Sequence, residues 1–144
     1  LEDEGITVGS LVDFHARHKL ILMSRDQVLY RELGRFVADT NKDNLQENIG
    51  EYLRRFMSLM KIRATRKNHV NVLQHIQGYL KNHLDADDKQ ELVQTIDKYR
   101  QGQLPLIVPI TLLNHHFRKF PNEYISNSYY MDPYPEELCL QNAI

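Results

Sequence analysis

The chain has 144 residues, 42% of them hydrophobic and 26% charged, with a formal net charge of −1. Those values fit one soluble domain with its own hydrophobic core and exclude a disordered or fibrous chain. The single cysteine, Cys139, excludes an internal disulfide and any zinc or iron–sulfur site built from several thiolates of this chain.

With one cysteine a reducing cytoplasm is the natural setting, and because no apolar run approaches the roughly 18 residues of a membrane span, no membrane association is expected. Residues 1–9 open with Leu1-Glu2-Asp3-Glu4-Gly5, carry no signal-peptide pattern and lack an initiator Met. They read as a junction or linker inside a longer protein, with the helical domain over 10–144. From Ser10, a candidate N-cap, the apolar positions Leu11, Phe14, Leu22, Leu29, Leu33 and Phe36 keep helical spacing to Ala38. This is one long helix, or two with a break near Ser24-Arg25-Asp26. Residues 41–44 connect to a stripe of Leu45, Ile49, Tyr52, Leu53, Phe56 and Met60.

A third helix is expected over 65–83, capped by Thr65. Asp85 opens a fourth through Leu92, Ile96 and Tyr99, with Asp88 in its first turn and Lys98 and Arg100 in its last, as the helix dipole favours. Gly102 stops it. Pro105 and Pro109 stand near the start of a fifth helix through Leu112, Leu113 and Phe117, where a missing N–H costs little. After Pro121 the pattern is irregular, through Ser126-Asn127-Ser128 and Asp132-Pro133-Tyr134-Pro135, with a short closing helix after Pro135. No segment alternates over strand length and no repeat is visible. The expected class is all-α: a compact bundle of about five helices with an irregular Tyr/Pro-rich C-terminal segment.

Charge is segregated along this plan. Residues 52–84 hold seven Lys or Arg, three His and no acid, while acids gather at 2–4, 85–97 and 123–137. The densest part, Arg54, Arg55, Lys61, Arg63, Arg66 and Lys67, flanks the expected start of the third helix. Free N–H groups and partial positive charge there suit phosphate. The plainer account is a solvated basic face. At about 100° per residue the third helix puts His69, Val72, Leu73, Ile76 and Leu80 on a core stripe. Opposite lie Lys67, Asn71, Gln74, Gly78 and Lys81. Such side chains serve phosphate and sugar contacts. A glycine inside a helix costs about 1 kcal/mol relative to alanine, so Gly78 calls for a reason, either close approach of another helix or of a ligand.

His15 and His18 sit three apart with Lys19 beside them, a possible ligand pocket. No Asp or Glu precedes a His by three residues, and the adjacent His115 and His116 point about 100° apart, so no metal site is assigned. His15, His18, His115 and His116 fit better as hydrogen-bonded packing residues, and the sequence does not fix whether they meet His69 and His75 in space. Neither GxSxG, Walker A nor GxGxxG occurs; no catalytic residue and no cofactor are assigned. Cys139 reads as a packing residue. Tyr124, Tyr129, Tyr130 and Tyr134 can pin the tail to the bundle or stack on bases, with pinning favoured.

Several segments together resemble the YbgA-like (DUF1722) family. They are Leu11-Val12-Asp13-Phe14-His15-Ala16-Arg17-His18-Lys19, Tyr30-Arg31-Glu32-Leu33-Gly34 and Thr65-Arg66-Lys67-Asn68-His69-Val70-Asn71-Val72-Leu73-Gln74-His75. The likeness continues through Gly78-Tyr79-Leu80-Lys81, Tyr99-Arg100, Pro105-Leu106-Ile107-Val108-Pro109 and Pro133-Tyr134-Pro135-Glu136-Glu137-Leu138. It departs at Ser128, where the family pattern leads one to expect glutamine before Tyr129-Tyr130. The family occurs alone or fused behind a cysteine-rich desulfidase domain similar to thiouracil desulfidases. The resemblance implies a role beside thiolated pyrimidines such as 4-thiouridine in transfer RNA, and residues 1–5 resemble the end of such a desulfidase.

Charge and resemblance together point to an accessory module that binds tRNA or other RNA and serves a desulfidase domain in cis or in trans. Arg63, Arg66, Lys67 and Lys81 would meet phosphates, and Asn71 and Gln74 sugar or base edges, around Gly78. The alternative is a helical protein-interaction or dimerisation module in which the acidic segment 85–97 of a second copy meets the same strip. A small-ligand enzyme using His15, His18 and Lys19 stands third.

Overall fold

Thr7, rather than Ser10, starts the first helix. Its hydroxyl accepts the Ser10 N–H at 3.0 Å, and its own N–H donates to Ser10 Oγ at 3.4 Å, a capping box with Ser10 in the third helical position. The computed structural model describes residues 5–131, and helix α1 (Val8–Arg25) thus begins inside the stretch expected to be a junction. Asp26 then serves two helices at once. Its N–H closes α1 on the Leu22 carbonyl at 3.2 Å, and its carboxylate accepts the Leu29 N–H at 2.9 Å to open α2 (Gln27–Ala38). The extended conformation of Asp26 decides between one helix and two, with the break at Ser24-Arg25-Asp26 as the sequence allows.

Helix α3 (Leu45–Met60) follows, then α4 (Arg66–Gly78), whose N-cap Thr65 accepts the Asn68 N–H at 3.1 Å. Asp85 caps α5 (Ala86–Arg100) by accepting the Asp88 N–H at 2.8 Å, and Gly102 leaves it with φ +80°, a conformation glycine adopts without steric cost. Helix α6 (Ile107–Lys119) has Pro109 in its first turn, where no carbonyl awaits an N–H. Asn122 caps a short α7 (Glu123–Ser126), and a 3-10 turn covers Tyr129–Met131.

The described residues contain seven α-helices and no strand, so the class is all-α as expected. The count exceeds five because Asp26 divides the first helix and Asn122 nucleates one in the irregular segment. No helix among the described residues is long and apolar enough to cross a membrane. α4 ends at Gly78 rather than His83. Beyond it the chain tightens into turns, with Leu80 N–H on the Gln77 carbonyl and His83 N–H on the Leu80 carbonyl, both at 2.9 Å. Tyr134, Cys139 and the closing helix expected after Pro135 lie outside the described residues.

Two hydrophobic clusters share α1. Leu11 and Leu22 join Leu33, Val37, Leu45, Tyr52, Phe56 and Leu59 of α2 and α3. Leu20 and Met23 join Val72, Leu73, Ile76, Leu92, Ile96, Ile110 and Leu113 of α4, α5 and α6. Each fully buried aliphatic side chain contributes about 1.5–3 kcal/mol. Each cluster also holds one buried His–Tyr hydrogen bond: His15 Nδ1 to Tyr52 Oη at 3.1 Å, and His69 Nδ1 to Tyr130 Oη at 2.7 Å.

In both histidines Nε2 is buried without a partner, so a proton added there would bring a charge with nothing to receive it. Burial lowers both to about 4, helped by Lys19 and His18 around His15 and by Arg25 and Arg66 around His69. Unfolded histidine titrates near 6.5. Between the two values the unfolded state binds more protons, so stability is full above about pH 6.5 and falls as pH drops towards 4. Each histidine accounts for at most about 3 kcal/mol of that loss. The urea midpoint should therefore fall steeply between pH 7 and pH 4.5, and less steeply in His69→Gln; equal wild-type midpoints at the two pH values would contradict neutral burial.

Candidate nucleic-acid interface

Because Val72, Leu73 and Ile76 hold α4 to the core, its opposite face is turned outward beside α5. Arg66, Lys67, Asn71, Gln74 and Gln77 line one side of a cleft of about 570 Å³; Val93, Asp97 and Arg100 of α5 line the other. Lys67 and Gln74 are exposed and Asn71 is half-buried. Three cations face one carboxylate, and that carboxylate is occupied: Asp97 accepts Arg100 Nε at 3.0 Å and Gln101 Nε2 at 2.8 Å. Arg66 is anchored as well. It donates to the Tyr99 carbonyl at 2.8 Å while its guanidinium lies 4.8 Å from the centre of the Tyr99 ring, which ties the start of α4 to the end of α5.

The structure thus gathers Arg66, Lys67, Asn71 and Gln74 from the expected set. Arg63 in the connector and Lys81 in the turns after α4 are exposed and do not line the cleft. Gly78 is the exposed last residue of α4, and a Cβ there would meet nothing within 4 Å. Neither close helix packing nor an interior-helix penalty therefore applies to it. Of the other basic residues, Arg54 and Arg55 bond to Glu51, Nε to carboxylate at 3.1 and 2.6 Å. These hydrogen bonds hold the Glu51 carboxyl below its usual range. Glu51 stands immediately before the acid-free stretch and its single carboxylate, shared between Arg54 and Arg55, offsets one of their two charges.

Residues 19–135 match the family described as "Protein of unknown function (DUF1722)". The chain belongs to this family. It is also 35% identical over 144 residues to the "Uncharacterized protein YbgA" of Escherichia coli (strain K12), across 99% of this chain and 85% of that relative. No solved structure matches it.

In this DUF1722 chain the histidines take separate partners. His18 Nδ1–H donates to the Phe14 carbonyl at 2.8 Å, and its ring packs among Phe14, Phe56 and Tyr129. His15 Nδ1 pairs with the Tyr52 hydroxyl instead. His75 packs against the Tyr79 ring. Tyr130 and Tyr124 pin the C-terminal segment, through His69 and the Tyr79 ring respectively. Tyr129 remains 46% exposed and lines a second cleft of about 600 Å³ with Arg17 and Arg118.

Gln77, Val93, Asp97 and Arg100 were missing from the expected interface. Val93, Asp97 and Arg100 follow i, i+4, i+7 spacing, so a helical wheel drawn on α5 finds their common face. That this face borders α4 is tertiary information. The anchoring of Arg66 has a direct consequence: Arg66→Ala should lower stability by about 1–3 kcal/mol, from one charged hydrogen bond and one cation–π contact. Lys67→Ala should stay within about 0.5 kcal/mol of the parent. Urea unfolding of both variants measures the contrast, and equal losses would refute the anchoring role.

Proposed function

We propose that this chain is an RNA-binding accessory module whose α4–α5 cleft receives a sugar–phosphate backbone, with no catalytic step assigned to its own residues. The observation that carries the reading is the row Lys67, Asn71, Gln74 and Gln77 along one rigid helix, flanked by Arg66 and Arg100, within a stretch free of acids. Lys67 supplies a mobile cation for phosphate, and the amides supply donors and acceptors for sugar hydroxyls or base edges. Counterion release provides much of the affinity. Transfer RNA as the ligand, and a desulfidase domain acting on thiolated pyrimidines as the partner in cis or in trans, rest on the family resemblance.

Lys67 is the residue to change, because Arg66 also holds Tyr99. In a gel-shift series from low to moderate salt, the parent should retain tRNA with affinity that falls as salt rises. Lys67→Gln should weaken binding across all RNAs and reduce the log–log salt slope by about 1. Absence of retention at low salt, or an unchanged slope in the variant, sinks the reading. Val93, 53% exposed inside the cleft, favours a protein partner as the second reading. A salt-sensitive dimer in light scattering without RNA retention would establish that one instead. The acidic α5 is a weaker lure for a second copy than its sequence implies, since Asp97 already faces the strip in the same chain.

A further inference from the structure

On α5, Asp88 and Glu91 lie nearly one turn apart, and His116 comes towards them from α6. One oxygen of each carboxylate and one ring nitrogen of His116 all lie within 4.8 Å of one another. His116 is only 3% exposed, yet neither Nδ1 nor Nε2 has a hydrogen-bond partner. A buried imidazole without partners is costly unless something occupies its lone pair. Acids near a helix start have an ordinary use, to balance the dipole, and this accounts for Asp88 in the first turn of α5. It accounts neither for Glu91, which lies beyond that turn, nor for the unpartnered imidazole facing both.

We propose that Asp88, Glu91 and His116 form a binding site for a divalent first-row transition cation, with zinc as the reference ion. Two hard oxygens and one imidazole nitrogen make a mixed donor set suited to zinc and its neighbours rather than to magnesium or calcium, which take oxygens. Bond lengths of about 2.0–2.2 Å place tetrahedral ligands roughly 3.4 Å apart, so the carboxylates rotate inward by about an ångström to close on the ion. Both are able to: Asp88 is half-buried, Glu91 is exposed, and neither carboxylate holds an ion pair or hydrogen bond among the described residues. Their two negative charges outweigh the half charge of the α5 N-terminus, which by itself repels a cation. Three protein ligands leave a fourth position for water or for an atom of a bound molecule.

The site is independent of the RNA reading. Val93, Asp97 and Arg100 use another face of α5, so failure of either proposal leaves the other standing. The test is calorimetric titration of the chelator-treated full chain with zinc chloride, and with magnesium chloride in parallel. One equivalent of zinc should bind and raise the thermal midpoint, with no comparable magnesium binding. Glu91→Gln should weaken zinc at least tenfold, and His116→Gln should abolish it. Since His116 is buried and its variant can misfold, the exposed Glu91→Gln, checked for parental helicity, decides the question. Absence of zinc binding, or equal affinity in parent and Glu91→Gln, overturns the site and assigns any residual zinc to the surface histidines.

Discussion

Helix α1 has to satisfy two hydrophobic clusters at once, and the rest of the molecule is arranged around that demand. Leu11 and Leu22 enter one cluster, Leu20 and Met23 the other, so its apolar residues cannot form a single narrow stripe. The helix is accordingly less one-sided than α2 or α3, each of which buries one face. With α2 and α3 on one flank and α4 on another, the face of α1 that carries His15 is enclosed, while Val12 and Asp13 stay exposed. The polar groups it carries inward must then find partners within the protein, and His15 does so at Tyr52.

That enclosure also orients the candidate interface. α4 packs against α1 and α6 through Val72, Leu73 and Ile76, with His69 fastened to Tyr130 in the same layer. Its remaining face can only point outward, beside α5. Arg66 then fixes the spacing between the two helices by gripping the last turn of α5 at Tyr99. One arginine of the basic segment thus builds the cleft, while Lys67 is left free to act in it. Charge counted along a sequence does not separate these roles. Arg54 and Arg55 show the same limit, because both are tied to the Glu51 carboxylate three and four residues away on the same helix.

What was legible in the sequence was local and periodic. The core stripe of α4, the caps at Thr65 and Asp85 and the stop at Gly102 depend on side chains acting within one turn of their own position, and all stand where the pattern places them. Ser10 was misplaced because two hydroxyls three residues apart both suit a helix start; in the capping box each bonds the other's backbone, and only geometry shows that Thr7 lies outside the helix. The end of α4 was overrun for a related reason. Leu80 stays buried after the helix tightens, so the apolar period continues although the α-helical hydrogen bonds do not. His116 was set aside because its sequence neighbour His115 cannot share a ligand with it. Its counterparts are on α5, and no spacing rule spans that distance.

Helix α5 shows how one element can serve two chemistries. Its dipole favours acids at the start and cations at the end, and the sequence supplies Asp87 and Asp88 there and Lys98 and Arg100 here. The helical turn then divides these charges between faces. Asp88 and Glu91 look towards α6, where a buried imidazole waits without a partner. Asp97 and Arg100 look towards α4, where they pair with each other and so leave the cleft its net positive character. The near-neutral total charge of the chain is therefore uninformative about either face. It balances 18 Lys and Arg against 19 Asp and Glu over the whole sequence, and so hides a carboxylate pair and a cationic groove on two sides of one helix, each legible only once α4 and α6 are known to flank it.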